Sequence, residues 1–176
     1  MCADERQWVP PGGQRWTTLA ELAAAGHRSD IRAVEPGLTG IGADPPLAIG
    51  QRSLLLASAQ GNVLWDPSGF IDDAAVAAVR SAGGLRFVTA SHPHFYGAIA
   101  SWAREFGAEI LVPVDDVAWL RAGPELDVRL WSGVLELSPS VTLIQCGGHF
   151  PGSAVLHWAD GAAGRVRPRD PATTPG

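Results

Sequence analysis

The chain has 176 residues, of which 46% are hydrophobic and 18% are charged. This length fits one domain with a hydrophobic core, and the composition excludes a wholly disordered chain. The net charge of −5 leaves no basic field that could hold a phosphate backbone, so we expect no nucleic-acid partner.

The N-terminal residues 1–15 are polar and include the Pro- and Gly-rich run Val9–Gly13, which is typical of a flexible arm. The first residues carry acids and no apolar segment, so we expect no secretory signal. The two cysteines, Cys2 and Cys146, cannot build a disulfide framework. No apolar run approaches the roughly 18 residues of a membrane span. We therefore expect a cytoplasmic protein without a membrane partner.

Residues 16–160 form the predicted domain, which begins with a helix and an antiparallel ribbon. Thr17 or Thr18 can cap a short helix over Leu19–Ala25. The segment from Asp30 to Pro46 shows little periodicity, and we predict no regular element there. Short apolar runs then predict three strands, over Leu47–Ile49, Ser53–Ala57 and Asn62–Trp65.

The middle of the chain alternates helices with strands. The predicted elements, in order, are helix Ile71–Ala82, strand Leu85–Ala90, helix Phe95–Phe106, strand Glu109–Pro113 and helix Val114–Arg121. Two of these helices begin with adjacent acids, Asp72 with Asp73 and Asp115 with Asp116, which complement the helix dipole. Because adjacent residues lie on different sides of a helix, we interpret neither pair as catalytic. This alternation predicts a sheet that helices cover on one face.

The last part of the domain returns to strands. They are predicted over Val128–Trp131, Val134–Leu137, Val141–Cys146 and Ala154–Trp158. Ser132 and Gly133 predict a tight hairpin between the first two of them. The whole order indicates one half of an α/β sandwich. Residues 161–176 lack apolar periodicity, and we predict a disordered tail there.

Two histidines lie where an apolar strand runs into a helix, in the segment Ser91–Gly97. Open α/β sheets place their functional sites at this edge. Residues i and i+2 of an extended chain point to the same face, so His92 and His94 can project together and chelate a metal. Pro93 keeps His92 out of the helical region and reduces the cost of ordering the pair. The alternative is a pair of histidines at a strand end without any ligand role.

A third histidine, His149, lies in the loop Cys146–Ser153, which again follows an apolar strand. The glycines of this loop allow a close approach of its backbone to another group. Three imidazoles and a water molecule make an open tetrahedral zinc site. Because 55 residues separate His94 from His149, only the fold can bring the three together.

Both segments together resemble the metallo-β-lactamase-fold hydrolases. The first motif of that family reads His-x-His-x-Asp-His, and its next histidine lies in a Gly-His-x-Pro-Gly-Ser loop. The similarity runs from about Pro46 to Trp158. It implies a metallo-β-lactamase-like αββα sandwich, of which this chain carries largely the N-terminal half. By position, His92, His94 and His149 are similar to the family's three ligands of the first zinc.

The chain also departs from the family pattern. Tyr96 stands where the family has its Asp, and Gly97 where it has the next His, so two ligands of a second zinc are absent. The resemblance therefore implies one zinc ion at most. Asp170 follows no apolar strand, and we do not match it to the family's bridging Asp. Cys2–Gln7 resembles the end of a cysteine-rich knuckle found before some members, and the chain looks like a shortened member.

A zinc ion held by three neutral imidazoles keeps its charge of +2 and can bring the pKa of its water to about 7, as it does in carbonic anhydrase. Tyr96 is a poor base at neutral pH, but it can assist an oxyanion or a leaving group as a catalytic residue. The alternative for Tyr96 is packing beside the loop. Phe95 and Phe150 can form an apolar rim to a substrate pocket, or they can simply pack.

Three further residues have structural interpretations that we prefer. His27 follows Gly26 at a helix end, where an imidazole commonly caps the last carbonyl groups. His157 lies on a predicted strand, and we expect it to be partly exposed. Cys146 closes an apolar strand, and we expect a small buried thiol there and not a ligand.

Three functional hypotheses follow. The first is a zinc-dependent hydrolase with at most one metal ion, acting on a small-molecule ester, thioester, amide or phosphodiester. The second is a catalytically inactive relative that binds a metal or ligand. The third is a truncated fragment whose apolar sheet face is exposed, which a homodimer would cover.

Overall fold

The computed structural model describes Asp4 and residues 9–161. Of the tail predicted for residues 161–176, only Gly161 is among the described residues. Of the first eight residues of the predicted arm, only Asp4 is described. Residues 9–15 of the arm contain neither helix nor strand. Within the described part of the chain, no helix has the length and apolarity that crossing a bilayer requires.

Seven strands form the larger sheet, in which their spatial order equals their order along the chain. They are β1 Arg28–Glu35, β2 Leu38–Asp44, β3 Ser53–Leu56, β4 Val63–Trp65, β5 Phe87–Thr89, β6 Glu109–Pro113 and β7 Val128–Trp131. The first four strands pair antiparallel, and β4 to β7 pair parallel. The parallel half places the ends of β5 and β6 at one edge of the sheet.

Three strands form a second, antiparallel sheet in the order β10-β9-β8. They are β8 Val134–Ser138, β9 Val141–Gln145 and β10 Ala154–Trp158. Side chains from both sheets meet in one buried cluster, which includes Val63, Phe87, Leu111, Leu143 and Ala154. The two sheets therefore pack face to face.

Helices cover the other face of the larger sheet. They are α2 Asp73–Ser81 and α3 Ile99–Phe106, and a short α1, Leu19–Ala24, precedes the sheet. Val79 of α2 and Trp102 of α3 pack with Val88 and Ile110 of the sheet in a second buried cluster. Neighbouring residues of the parallel strands enter opposite clusters, as the period of two along a strand requires. The layers of the described residues are thus helix, sheet, sheet, which are three of the four layers of the predicted αββα sandwich.

Local sequence explains the ends of these helices. Thr18 caps α1 through a capping box with Glu21, in agreement with the predicted cap. Asp72 accepts a hydrogen bond from the Ala75 amide at 2.9 Å and caps α2. α3 ends at Gly107, which adopts the left-handed conformation that favours glycine.

The structure corrects three sequence predictions. The segment from Asp30 to Pro46, predicted without a regular element, contains most of the hairpin of β1 and β2, whereas Leu47–Ile49 is a turn and not a strand. Ser132 and Gly133 do not close a hairpin, because β7 belongs to the larger sheet and β8 to the smaller one. The helix predicted over Val114–Arg121 is present as a 3₁₀ helix, Val114–Trp119, and ends two residues earlier than predicted.

Candidate metal centre

The first two histidines directly follow the buried parallel strand β5. His92 has an extended backbone, with φ −167° and ψ 169°, and a 3₁₀ turn over Pro93–Phe95 begins immediately after it. Pro93 lacks an N–H and has a fixed φ, which suits the first position of such a turn. His94 therefore lies inside the turn and not on an extended strand. The prediction that the two side chains project together because they alternate along an extended backbone is wrong in this respect. The turn nevertheless brings the two rings to 5.2 Å between centroids.

The third histidine lies on the loop between β9 and β10. Gly147 and Gly148 have φ values of 67° and 101°, which side chains other than glycine rarely adopt. The loop is closed by the amides of Cys146 and Gly147, which donate to the Ser153 carbonyl at 2.8 and 3.0 Å. This tight turn places His149 above the end of the larger sheet.

The three histidines meet, in agreement with the sequence prediction. One nitrogen from each of His92, His94 and His149 lies within 4.8 Å of the other two. The distance from His149 Nε2 to His94 Nδ1 is 3.3 Å. Nitrogens of a tetrahedral zinc site, with bonds of about 2.0–2.1 Å, are about 3.3 Å apart. The distance between His94 and His149 matches this value, and the three residues could hold a metal.

Ser91 connects the histidine turn to both sheets. Its amide donates to Asp66 Oδ1 at 2.6 Å, and its carbonyl accepts from the Ala154 amide of β10 at 2.8 Å. Its hydroxyl lies 2.9 Å from His92 Nδ1. When Nδ1–H donates to this hydroxyl, the lone pair of His92 Nε2 remains available to a metal.

Asp66 adopts a left-handed backbone, with φ 53°, directly after β4. Aspartate tolerates this conformation better than most residues. Burial raises the pKa of the Asp66 carboxyl, although its hydrogen bonds with Ser91 act in the opposite direction. In this left-handed conformation, Asp66 presents its Oδ1 as a hydrogen-bond acceptor to the Ser91 amide, just before the histidine turn.

A second aspartate anchors the loop of His149. Asp116 is fully buried, and its Oδ1 accepts a hydrogen bond from the Gly152 amide at 2.9 Å. A Cβ at Gly152 would lie 2.6 Å from Asp116 Cγ and 2.7 Å from Pro113 Cβ, so only glycine fits here. The local sequence relates Asp116 to a helix dipole, and it contains no sign of this contact with the loop.

Phe150 forms an apolar floor beneath the three imidazoles. It is fully buried, and its ring centroid lies 6.0 Å from His92 and 5.0 Å from both His94 and His149. Phe150 therefore packs and does not form a rim. Burial, with repulsion from the two other histidines, lowers the pKa of His92 from 6.5 to about 4. His92 is consequently neutral at pH 7 and can donate its lone pair.

The other candidate residues lie apart from the three rings or beneath the surface. Tyr96 is 5% exposed within the cluster between sheet and helices, and burial raises the pKa of its phenol. This placement favours packing for Tyr96, and its catalytic role stays a prediction. His27 Nδ1 lies 3.1 Å from the Leu22 carbonyl, which confirms the predicted helix cap. His157 is exposed on β10, whereas Cys146, predicted to be buried, is exposed.

Sequence reasoning misses one carboxylate at this centre. Asp4 Oδ1 lies 3.9 Å from His94 Nε2, and the Asp4 side chain is only 5% exposed. The composition of residues 1–15 predicts a flexible arm and assigns it no role. Nothing in the local pattern around Asp4 relates it to a histidine 90 positions later, so only the fold could reveal the contact.

Solved structures with the same architecture are metallo-β-lactamases. MEM-A1, a subclass B3 metallo-β-lactamase from a soil metagenome library, matches with a TM-score of 0.56 and 24% identity over 73% of this chain and 57% of its own. A mutant metallo-β-lactamase from Cronobacter sakazakii matches with a TM-score of 0.52 and 22% identity over 72% and 58%. The chain has the metallo-β-lactamase fold. At these identities the likeness concerns the fold alone.

One relative is similar in sequence to almost the whole chain. The uncharacterised protein YmaE of Bacillus subtilis is 38% identical over 167 residues, which are 94% of this chain and 61% of YmaE. No protein-family model matches the chain. The metallo-β-lactamase-fold chain thus spans about three fifths of the length of YmaE and of the two lactamases.

Proposed function

We propose that the chain is a zinc-dependent hydrolase with at most one metal ion, held by His92, His94 and His149. The observation that carries the proposal is the meeting of three imidazole nitrogens within 4.8 Å of one another. The metallo-β-lactamase fold supports it, because the rings lie at the edge of the sheet where an α/β fold presents a site.

The protein's own residues would prepare the site for the ion. The nitrogens that face one another are Nδ1 of His94 and Nε2 of His149, and the Ser91 hydroxyl at Nδ1 of His92 leaves Nε2 to complete the set. Phe150 is fully buried and its ring packs against all three imidazoles. A zinc ion at this position would polarise a carbonyl or phosphoryl group and make a hydroxide nucleophile available near pH ~7.

The substrate class is a small molecule with an ester, thioester, amide or phosphodiester bond. A second candidate is a metal-binding relative without hydrolytic activity, and the burial of Tyr96 favours it. This phenol is 5% exposed and lies in the core cluster between the larger sheet and the helices, and burial raises its pKa, so it is a poor base. A cytoplasmic location and a homodimer also stay predictions from the sequence.

Zinc content tests the metal centre. We expect close to one zinc per chain by elemental analysis, and loss of most of it in His149→Ala, because water activation and tight binding need the third ligand. His157→Ala removes an exposed histidine outside the cluster and is the matched control, with zinc content unchanged. Zinc-free wild-type protein, prepared with zinc in excess, would contradict the proposal.

Hydrolysis of model substrates separates the two candidates. Chromogenic esters, thioesters and phosphodiesters provide the panel, with His157→Ala again as control. Turnover that disappears in His149→Ala supports the hydrolase. Turnover that survives this substitution contradicts it, and one bound zinc without turnover of any probe favours the inactive relative.

A further inference from the structure

Asp4 brings a carboxylate to the edge of the histidine cluster. Its Oδ1 is 3.9 Å from Nε2 of His94. Both side chains are shielded from water, since Asp4 is 5% and His94 is 15% exposed. A carboxylate withdrawn from water is stabilised by hydrogen-bond donors nearby, and a ring nitrogen of His94 is one group at its edge that can supply such a donor.

The two ring nitrogens of His94 face different groups. Nδ1 lies 3.3 Å from His149 Nε2, inside the cluster, whereas Nε2 points to Asp4. A metal ion between the histidines would therefore bind Nδ1. Asp4 contacts the opposite nitrogen, so it is not placed as a fourth ligand.

We propose that Asp4 is a positioning residue whose carboxylate accepts the Nε2–H of His94 and thereby directs the Nδ1 lone pair at the metal. This inference rests on the proposed metal centre. A neutral imidazole carries its proton on one nitrogen only, so an acceptor at Nε2 selects the tautomer that can bind metal through Nδ1. The distance of 3.9 Å must shorten by about 1 Å to reach hydrogen-bond range.

His92 has a comparable partner, the hydroxyl of the neighbouring residue Ser91. This hydroxyl lies at Nδ1, on the side of the ring away from its metal-facing nitrogen. Hydrogen-bonded partners of this kind orient ligand rings and raise their basicity, and their loss typically weakens metal binding about 10–100-fold. Asp4 would therefore make residues before the folded domain part of the metal centre.

The tautomer of His94 provides a test that needs no metal. In full-length metal-free protein labelled with ¹⁵N-histidine, we expect long-range ¹H–¹⁵N spectra to show His94 protonated at Nε2, assigned by its loss in His94→Gln. In Asp4→Ala we expect a shift toward the Nδ1–H form. Wild-type His94 protonated at Nδ1, or a tautomer that Asp4→Ala leaves unchanged, would overturn the inference.

Metal affinity provides the second test. We expect Asp4→Ala to weaken zinc binding about 10–100-fold and to change the visible absorption of the Co²⁺-substituted protein. Asp4→Asn, which keeps an acceptor oxygen but loses the charge, should lie between Asp4→Ala and wild type. Asp127→Ala is the control, because this exposed acid precedes β7 and lies at the opposite edge of the parallel strands.

The outcomes distinguish this inference from the proposed function. If wild type binds zinc and Asp4→Ala binds it within about twofold as tightly, the positioning role is wrong and the metal centre stands. If wild type binds no zinc, the proposed function fails, and the tautomer measurement alone decides whether Asp4 orients His94. Circular dichroism of each variant checks that the fold is retained.

Discussion

At the scale of single residues, the site depends on acceptors that fix the histidine backbone. Asp66 combines a left-handed φ of 53° with a hydrogen bond of 2.6 Å from the Ser91 amide. Two different properties are therefore needed at one position, namely tolerance of the backbone conformation and an acceptor oxygen. Asparagine has both, and alanine has neither.

We expect Asp66→Ala to lower the free energy of unfolding by about 2–4 kcal/mol, because it strains the backbone and leaves the Ser91 N–H without its acceptor. Asp66→Asn should stay within about 1 kcal/mol of wild type, since the amide oxygen can accept the same bond. Urea unfolding monitored by tryptophan fluorescence measures both variants. Equal losses in both would show that the carboxylate charge, and not the hydrogen bond, matters.

The residue scale also shows how much of the site can be predicted from sequence. The motifs predict His92, His94 and His149, and the three residues meet. Their supporting partners could not be predicted, because Asp66 and Ser91 are 25 positions apart and neither belongs to a periodic pattern. Such contacts depend on how the strands pack, which local sequence does not encode.

At the scale of elements, capping and apolar runs predict the buried strands and helices well. β6, β7 and β10 have the predicted bounds. The hairpin of β1 and β2 is missed because β1 is mostly exposed and therefore lacks apolar alternation. Three apolar residues predict a strand over Leu47–Ile49, yet this segment is a turn in which Ile49 is 68% exposed.

The loop between β9 and β10 depends on close packing against the segment after β6. We expect Gly152→Ala to destabilise the protein by about 1–3 kcal/mol and to weaken zinc binding, because its Cβ would overlap Asp116 and Pro113. Gly97→Ala is the matched control. No described atom lies within 4 Å of a Cβ there, so we expect a change within about 0.5 kcal/mol.

Thermal and urea unfolding, together with zinc titration, compare these two glycine variants. A Gly152→Ala protein as stable as Gly97→Ala would mean that the loop can move away from Asp116. Stability reduced without any change in zinc affinity would show that His149 is held by the glycines before it and not by this anchor.

At the scale of the whole molecule, two sheets of unequal size share one core. Among the described residues the larger sheet has seven strands and the smaller has three, with β10 and β8 at the edges of the smaller sheet. Val155 on this strand is 48% exposed. The homodimer predicted from the sequence would cover an apolar sheet face, and it stays a prediction.

The histidine cluster also links the stability of the metal-free molecule to pH. The pKa of His92 is about 4 in the folded chain, whereas an unfolded histidine titrates near 6.5. Between these values the unfolded chain binds a proton that the folded chain does not bind. The contribution of His92 is therefore fully present above about pH 6.5 and is lost as the pH falls toward about 4.

We expect the metal-free wild type to lose about 1–2 kcal/mol more than His92→Gln when the pH falls from about 7 to about 4, after allowing for solvent screening of this half-buried ring. The comparison between the two proteins isolates His92, because the Asp66 carboxyl, whose raised pKa acts in the opposite direction, is common to both. Urea unfolding at several pH values measures the difference. Because zinc binds the folded chain, a proton should compete with zinc for His92 only as the pH approaches about 4. Parallel stability curves for the two proteins would mean that the folded cluster accepts a proton as readily as the unfolded chain.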